Sequence, residues 1–309
     1  MTAAMRAIRS TAGGALEWAE MPRPQPGGTE VLIRVEAAGV NPADWKSIEP
    51  SADGAAPVVI PGWDIAGTVV ELGPGVTRFE VGDRVFGMPR FPERAGAYAQ
   101  FATSRSREIA RIPDGVDTVT AGAVPLAGLT AWQAVVDTLG VASGDRVLVH
   151  AAAGGVGHLA VQIAKARGAE VWGTASERNH GRLRELGVDH CIDYRTERFE
   201  DAADAMDAVV DLVGDGETSR RSLACLRRGG QLVSISPVLP EPDLVADAGV
   251  TARFMLVEPD ASGLEGLAAM LADGSLEVVI AATQEMSSMS TLHSMARRGG
   301  SIGKYVATL

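Results

Sequence analysis

Arg146-Val-Leu-Val-His-Ala-Ala-Ala-Gly-Gly-Val-Gly157 is the stretch on which the fold turns. Three consecutive apolar residues, Val147 to Val149, read as a buried strand. Small residues follow, then Gly154, Gly155 and Gly157. Apolar residues at Leu159, Val161, Ile163, Ala164 and Ala166 then recur at helical spacing up to Gly168. Strand, glycine turn and helix together predict a phosphate cradle. The glycines let backbone approach a pyrophosphate, and the helix start offers free N–H groups and the positive end of its dipole. The G-x-G-x-x-G pattern begins with Ala152, with Gly154 and Gly157 at its second and third glycine positions. The strand-to-helix context lifts the motif above a chance match.

Outward from this loop, strands and helices alternate. The pattern predicts strands at 146–149, 170–174, 191–193, 208–213 and 231–235, and helices at 155–167, 177–186 and 217–226. A sixth strand at 253–257 and a helix at 262–271 follow. Such alternation implies a doubly wound parallel sheet. Upstream, 121–139 is helical in pattern, and the first third is β-rich. Short runs at 31–35, 66–72, 81–86, 98–102 and 109–112 are punctuated by glycine and proline, as in a compact barrel-like fold. Runs at 276–281 and 304–307 read as strands that return to the first domain. The expected fold is α/β: a β-rich domain from 1–120 and 275–309, and a nucleotide domain at 121–274. The proline-rich, acidic segment 237–249 reads as a loop over the cofactor edge.

The 309 residues carry 28 basic and 39 acidic side chains, a net charge of −11. This balance argues against nucleic acid or an anionic membrane as main partner. No N-terminal signal pattern and no apolar run near about 18 residues occurs, so a cytoplasmic protein is expected. Cys191 and Cys225 are the only cysteines and belong to no C-x-x-C unit. They read as small buried residues rather than zinc ligands.

The second nucleotide-domain strand sets the cofactor. In NAD-binding folds it ends in an acid, about 20 residues past the glycines, that bonds the ribose 2′-OH. Here Glu170-Val-Trp-Gly-Thr-Ala-Ser176 ends without one, and Arg178 follows. A hydroxyl and a guanidinium suit a phosphate, which favours NADP(H). Glu177 would take the acidic role if the strand tip lay one residue later, and Arg178 also reads as a solvated helix-start charge. Tyr194, after the third strand, is a second candidate for the adenosine phosphate region.

Five segments together resemble the medium-chain dehydrogenase/reductase superfamily, and within it the zinc-independent quinone oxidoreductases related to zeta-crystallin. They are Val35-Glu-Ala-Ala-Gly-Val-Asn-Pro-Ala-Asp44, Pro61-Gly-Trp-Asp-Ile-Ala-Gly67, Val81-Gly-Asp-Arg-Val85, Pro125-Leu-Ala-Gly-Leu-Thr-Ala-Trp132 and the glycine loop. The resemblance implies a GroES-like catalytic domain, a Rossmann domain, a cofactor in the cleft between them, and a homodimer joined through the apolar edge Ala252-Arg-Phe-Met-Leu-Val257. Zinc-dependent members carry a cysteine ligand where this chain has Asn41, and Gly-His-Glu where it has Gly62-Trp63-Asp64. An amide and an indole cannot replace a thiolate and an imidazole around zinc, so no metal is expected. Without a Lewis acid to polarise an alcohol, the expected reaction is hydride transfer to a quinone or an α,β-unsaturated carbonyl.

Asn41, Asp44 and Lys46 share the loop that the resemblance places beside the nicotinamide. Asn41 would donate a hydrogen bond to nicotinamide or substrate. Lys46 would bond the ribose or stabilise an enolate, with Asp44 orienting it, unless Asp44 and Lys46 form only an exposed ion pair. Thr130 resembles the threonine near the nicotinamide ring, though its hydroxyl also suits a bond within its own helix. Val156 would touch the cofactor. Val213, Ser236 and Pro237 follow carboxyl ends of strands, where open sheets bind ligands. Lys304 belongs to a closing segment that reaches back to the cleft, or is a surface charge. Tyr98 reads as a packing residue and His150 as a satisfied core histidine. Two other readings stay open: an enoyl reductase of a biosynthetic, polyketide-type pathway, and a NADPH-binding protein with little turnover.

Overall fold

The computed structural model describes residues 3–50, 54 and 56–309. Its parallel sheet has six strands in the order His190–Asp193, Glu170–Ala175, Arg146–Val149, Met206–Asp211, Leu226–Ser234, Thr251–Phe254. Val147, Leu148 and Val149 are fully buried, which explains their unbroken apolar run: a central parallel strand is covered on both faces. The chain steps outward from Arg146–Val149 to one side, then returns to its other side with Met206–Asp211. That reversal opens a crevice at the carboxyl ends, directly over the glycine loop.

Before this sheet, the 11-residue strand Glu30–Val40 organises a mainly antiparallel sheet. It pairs antiparallel with Ile65–Leu72, Phe101–Arg105 and Lys304–Thr308. Ile280–Glu285 lies parallel to Lys304–Thr308. The final strand therefore sets Lys304 beside the end of Glu30–Val40, where Asn41 begins a short helix, Pro42–Lys46. Gly39 is required there, because a Cβ would lie 2.5 Å from the Asp64 carboxylate and from the Gly122 carbonyl.

Two sequence expectations are corrected. Segment 237–249 is not all loop: Pro242–Ala248 is a helix, opened by Pro242 and closed by Gly249 in the left-handed region at φ 67°. The strand expected from 276 starts only at Ile280. Residues 276–279 are instead tied to the nucleotide fold. Gln162 and Glu277 exchange two bonds of 2.8 Å, and the Val279 amide donates to His158 Nε2 at 3.3 Å.

Candidate active site

A cleft of about 480 Å³ lies between the glycine loop and the start of Pro42–Lys46. Asn41, Lys46, Thr130, Gly154, Gly155, Val156, Gly157 and Lys304 all line it. Its apolar wall includes Trp45, Phe91 and Leu126, and also Met255, Leu256 and Val257, which the sequence assigned to the edge strand; that strand is Thr251–Phe254, and the three residues beyond it turn to the cleft.

The glycine loop fits a dinucleotide on its own geometry. A Cβ on Gly157 would sit 2.3 Å from the Ala151 carbonyl, so this glycine lets helix Gly157–Ala166 seat against the strand. No side chain caps the start of that helix. The His158 and Leu159 amides already donate to Gly154 O and Val156 O, so the Gly157 amide is the one left at the helix start for an anion. His158 Nδ1 lies 2.9 Å from the Gly154 carbonyl, and burial holds this imidazole down at about 4, neutral at physiological pH. The Gly303 amide donates to Ala153 O at 3.1 Å, and the Lys304 stem packs under Gly155.

Facing the loop is a buried polar cluster. Asn41 Nδ2 donates to Asp64 Oδ2 at 2.8 Å, and Lys304 Nζ donates to Asn41 Oδ1. Lys304 Nζ also donates to Val40 O at 3.1 Å and lies 3.5 Å from Asp64 Oδ2. The Leu126 amide donates to Asp64 Oδ1 at 2.7 Å. Asn41, Asp64 and Lys304 are 2%, 0% and 3% exposed, so Lys304 is no surface charge. Burial pushes the Asp64 carboxyl up against the pull of the Lys304 ammonium and its hydrogen bonds. Trp63 Nε1 donates to Glu93 O at 2.6 Å, and its ring meets Phe91 edge-on.

Asp44 does not orient Lys46. Its Oδ2 accepts from the Asn41 backbone N–H and from Tyr98 Oη, each at 2.6 Å, and it is fully buried, whereas Lys46 is exposed. Helical Pro42–Lys46 turns the two side chains apart, because residues two positions apart point to different faces. Burial lifts the Asp44 carboxyl to about 7. Tyr98 is a core residue, and its hydroxyl also lies 3.1 Å from His293 Nε2. The Tyr98–His293 pair spans 195 positions and had no local signal in the sequence. Thr130 lines the cleft, but its hydroxyl donates to Leu126 O at 2.7 Å. His150 is satisfied by Thr174 and Ser222.

Among the lining residues at the carboxyl strand ends are Leu212 and Ile235, each one residue before the expected Val213 and Ser236. Val213 is exposed, and the Ser236 side chain packs against Gly214. Pro237 does not line the cleft. At the tip of strand Glu170–Ala175, buried Ser176 Oγ lies 3.5 Å from Tyr194 Oη. That contact and Arg195 hold the exposed Tyr194 hydroxyl below the usual phenol range. The Arg195 guanidinium lies 5.7 Å from the Tyr194 ring, a cation the sequence reading passed over although it directly follows Tyr194. Arg178 is exposed and donates to the Gly300 carbonyl at 2.7 Å.

Two family profiles match the chain: "Alcohol dehydrogenase GroES-like domain" over residues 27–114 and "Zinc-binding dehydrogenase" over residues 186–306. The chain is 33% identical to a chloroplast envelope quinone oxidoreductase homolog of Arabidopsis thaliana, over 95–96% of both chains. It is 35% identical over 95% of its length to a polyketide synthase of Streptomyces halstedii, of which it spans only 5%. Its fold superposes on the solved quinone oxidoreductase of Coxiella burnetii with a TM-score of 0.89 at 33% identity, covering 99% of this chain and 100% of that one.

Proposed function

The chain belongs to the quinone oxidoreductase branch of the medium-chain dehydrogenase/reductase superfamily, and from that premise we propose a NADPH-dependent, zinc-independent reductase of quinones or α,β-unsaturated carbonyls. The observation that carries this reading is the cluster facing the glycine loop. Asn41 stands where the family's metal-dependent members place a thiolate, and its carboxamide is held by Lys304 and Asp64. Those side chains supply an amide, an ammonium and one carboxylate. An ammonium beside the carboxylate competes with any cation there, so the donor set does not suit zinc. The profile name "Zinc-binding dehydrogenase" describes the wider group, and the residues here depart from it.

A bound nicotinamide would supply the hydride. The protein's part is to seat the pyrophosphate on Gly154, Gly155 and the start of Gly157–Ala166, and to keep water out with Phe91, Leu126 and Met255. Negative charge grows on the acceptor's carbonyl oxygen as hydride arrives, and Asn41 is the donor placed to receive it. Lys46, exposed at the rim, acts on the ribose or the entering acceptor. Ser176, Tyr194, Arg178 and Arg195 form the 2′-phosphate end, with Arg178 leaving the Gly300 carbonyl for the phosphate. The division into 1–120 with 275–309 and 121–274 follows the same reading, as does a homodimer through the edge strand Thr251–Phe254, whose Phe254 is exposed. The similarity to a polyketide synthase favours a second reading, reduction of an enoyl thioester by the same chemistry.

The test is NADPH oxidation with a panel of quinones, alkenals, cyclic enones and enoyl thioesters. Turnover of at least one acceptor class is expected. Tight NADPH binding without turnover of any would contradict the reading and favour a binding protein.

A further inference from the structure

We propose that Lys304 and Asp64 are positioning residues that lock the Asn41 carboxamide with an N–H toward the cleft. The inference rests on the role given to Asn41 above and deepens it. A carboxamide can sit either way round, with oxygen and nitrogen exchanged. Here the choice is forced. Lys304 Nζ donates to Asn41 Oδ1, and Asn41 Nδ2 donates to Asp64 Oδ2 at 2.8 Å. Turned over, the amide would press N–H groups against an ammonium and its oxygen against a carboxylate, both inside a nearly dry cluster.

The clamps are themselves held. The Leu126 amide fixes Asp64 Oδ1 at 2.7 Å, and Val40 O takes a Lys304 hydrogen at 3.1 Å. With Asn41 Oδ1 as its second hydrogen-bond acceptor and the Asp64 carboxylate paired to it at 3.5 Å, the buried ammonium is held by protein groups on three sides. Lys304 is therefore committed to protein and acts through Asn41. Of the two hydrogens on Asn41 Nδ2, one goes to Asp64. Among the described residues no second acceptor faces Nδ2, and Asn41 lines the cleft. An ammonium on the amide oxygen also polarises the group and strengthens its remaining N–H as a donor.

A double-mutant cycle tests this, reading kcat on an enone, NADPH Kd by fluorescence, and Tm. Asn41→Ala is expected to lower kcat roughly 10²-fold, the cost of removing one such donor. Lys304→Met keeps the stem under Gly155 and is expected to lower kcat at least about tenfold with NADPH Kd unchanged. Asn41→Ala/Lys304→Met should be no slower than Asn41→Ala, since both changes act through one group. Asp64→Asn/Lys304→Met, which removes both buried charges, should recover Tm without recovering kcat. Additive losses in the cycle would overturn the proposal, as would recovery of kcat together with Tm, the mark of simple charge balance. Wild-type turnover by Lys304→Met beside an impaired Asn41→Ala would sink this inference alone. Wild-type turnover by Asn41→Ala would instead sink the role of Asn41 on which it stands.

Discussion

Arg178 illustrates how a single side chain can sit at the right place in the chain and still face elsewhere. It follows the strand tip that carries Ser176, yet its guanidinium donates to the Gly300 carbonyl at 2.7 Å. A carbonyl is a weaker partner for guanidinium than a phosphate dianion. On our reading NADPH draws Arg178 away, so Arg178→Ala should weaken NADPH selectively, by about tenfold or more, and leave NADH binding nearly unchanged. Equal losses for both cofactors, measured by titration, would remove Arg178 from the 2′-phosphate site. Asn41 was legible in the sequence because it lies inside a continuous motif, and Asp64 lay in the quoted Gly62-Trp63-Asp64. The bond from Tyr98 to Asp44, and the contact of Tyr98 with His293, were not legible. Tertiary folding brings these residues together across 54 and 195 positions, and nothing local in their types or spacing announces a partner.

On our reading the glycine turn and its helix fix the cofactor site, and Gly157 is the tightest point of that element. A methyl there would lie 2.3 Å from Ala151 O and 2.7 Å from Ala152 Cα, both backbone atoms with little room to yield. Gly157→Ala should cost roughly 1–3 kcal/mol of stability, as overpacking does, and weaken NADPH binding as well. Unchanged Tm and Kd would show that the helix start can shift freely. This element was readable because its glycines, apolar strand and 3.6-residue period agree. Helix Pro242–Ala248 was not, since none of its residues is buried and it therefore carries no apolar stripe. The late start of strand Ile280–Glu285 had a different cause. The amides of Glu277 and Val279 bond to Gln162 and His158 of a neighbouring helix, a tertiary preference invisible in local composition.

Across the whole molecule, buried ionisable groups set the response to acid. Burial holds His150, His158 and His293 down at about 4. The unfolded chain protonates these imidazoles first, so their stabilisation is present above their ordinary range and is lost as pH falls toward 4. Asp44 works the other way. Its carboxyl, lifted to about 7 by burial, stabilises the fold below the usual carboxylate range and loses that contribution as pH rises through about 7. Between pH 7 and 4 Asp44 therefore offsets part of the histidine loss. Asp44→Asn should lose more Tm than the wild type on acidification over that window, and parallel Tm curves would contradict this. Assembly is read at the same scale. The edge strand Thr251–Phe254 leaves Phe254 exposed, an apolar side chain on an unpaired edge that pairing would cover. Sedimentation should give a dimer, and a monomer at all concentrations would refute the interface.

The central claim is a direct hydride transfer that needs no metal. It is tested most directly with NADPH deuterated at the transferable C4 position, an enone acceptor, and enzyme dialysed against a chelator. The account predicts turnover undiminished by the chelator, with the deuterium recovered on the β-carbon of the product. Turnover abolished by the chelator and restored by zinc, or deuterium absent from that carbon, would contradict it.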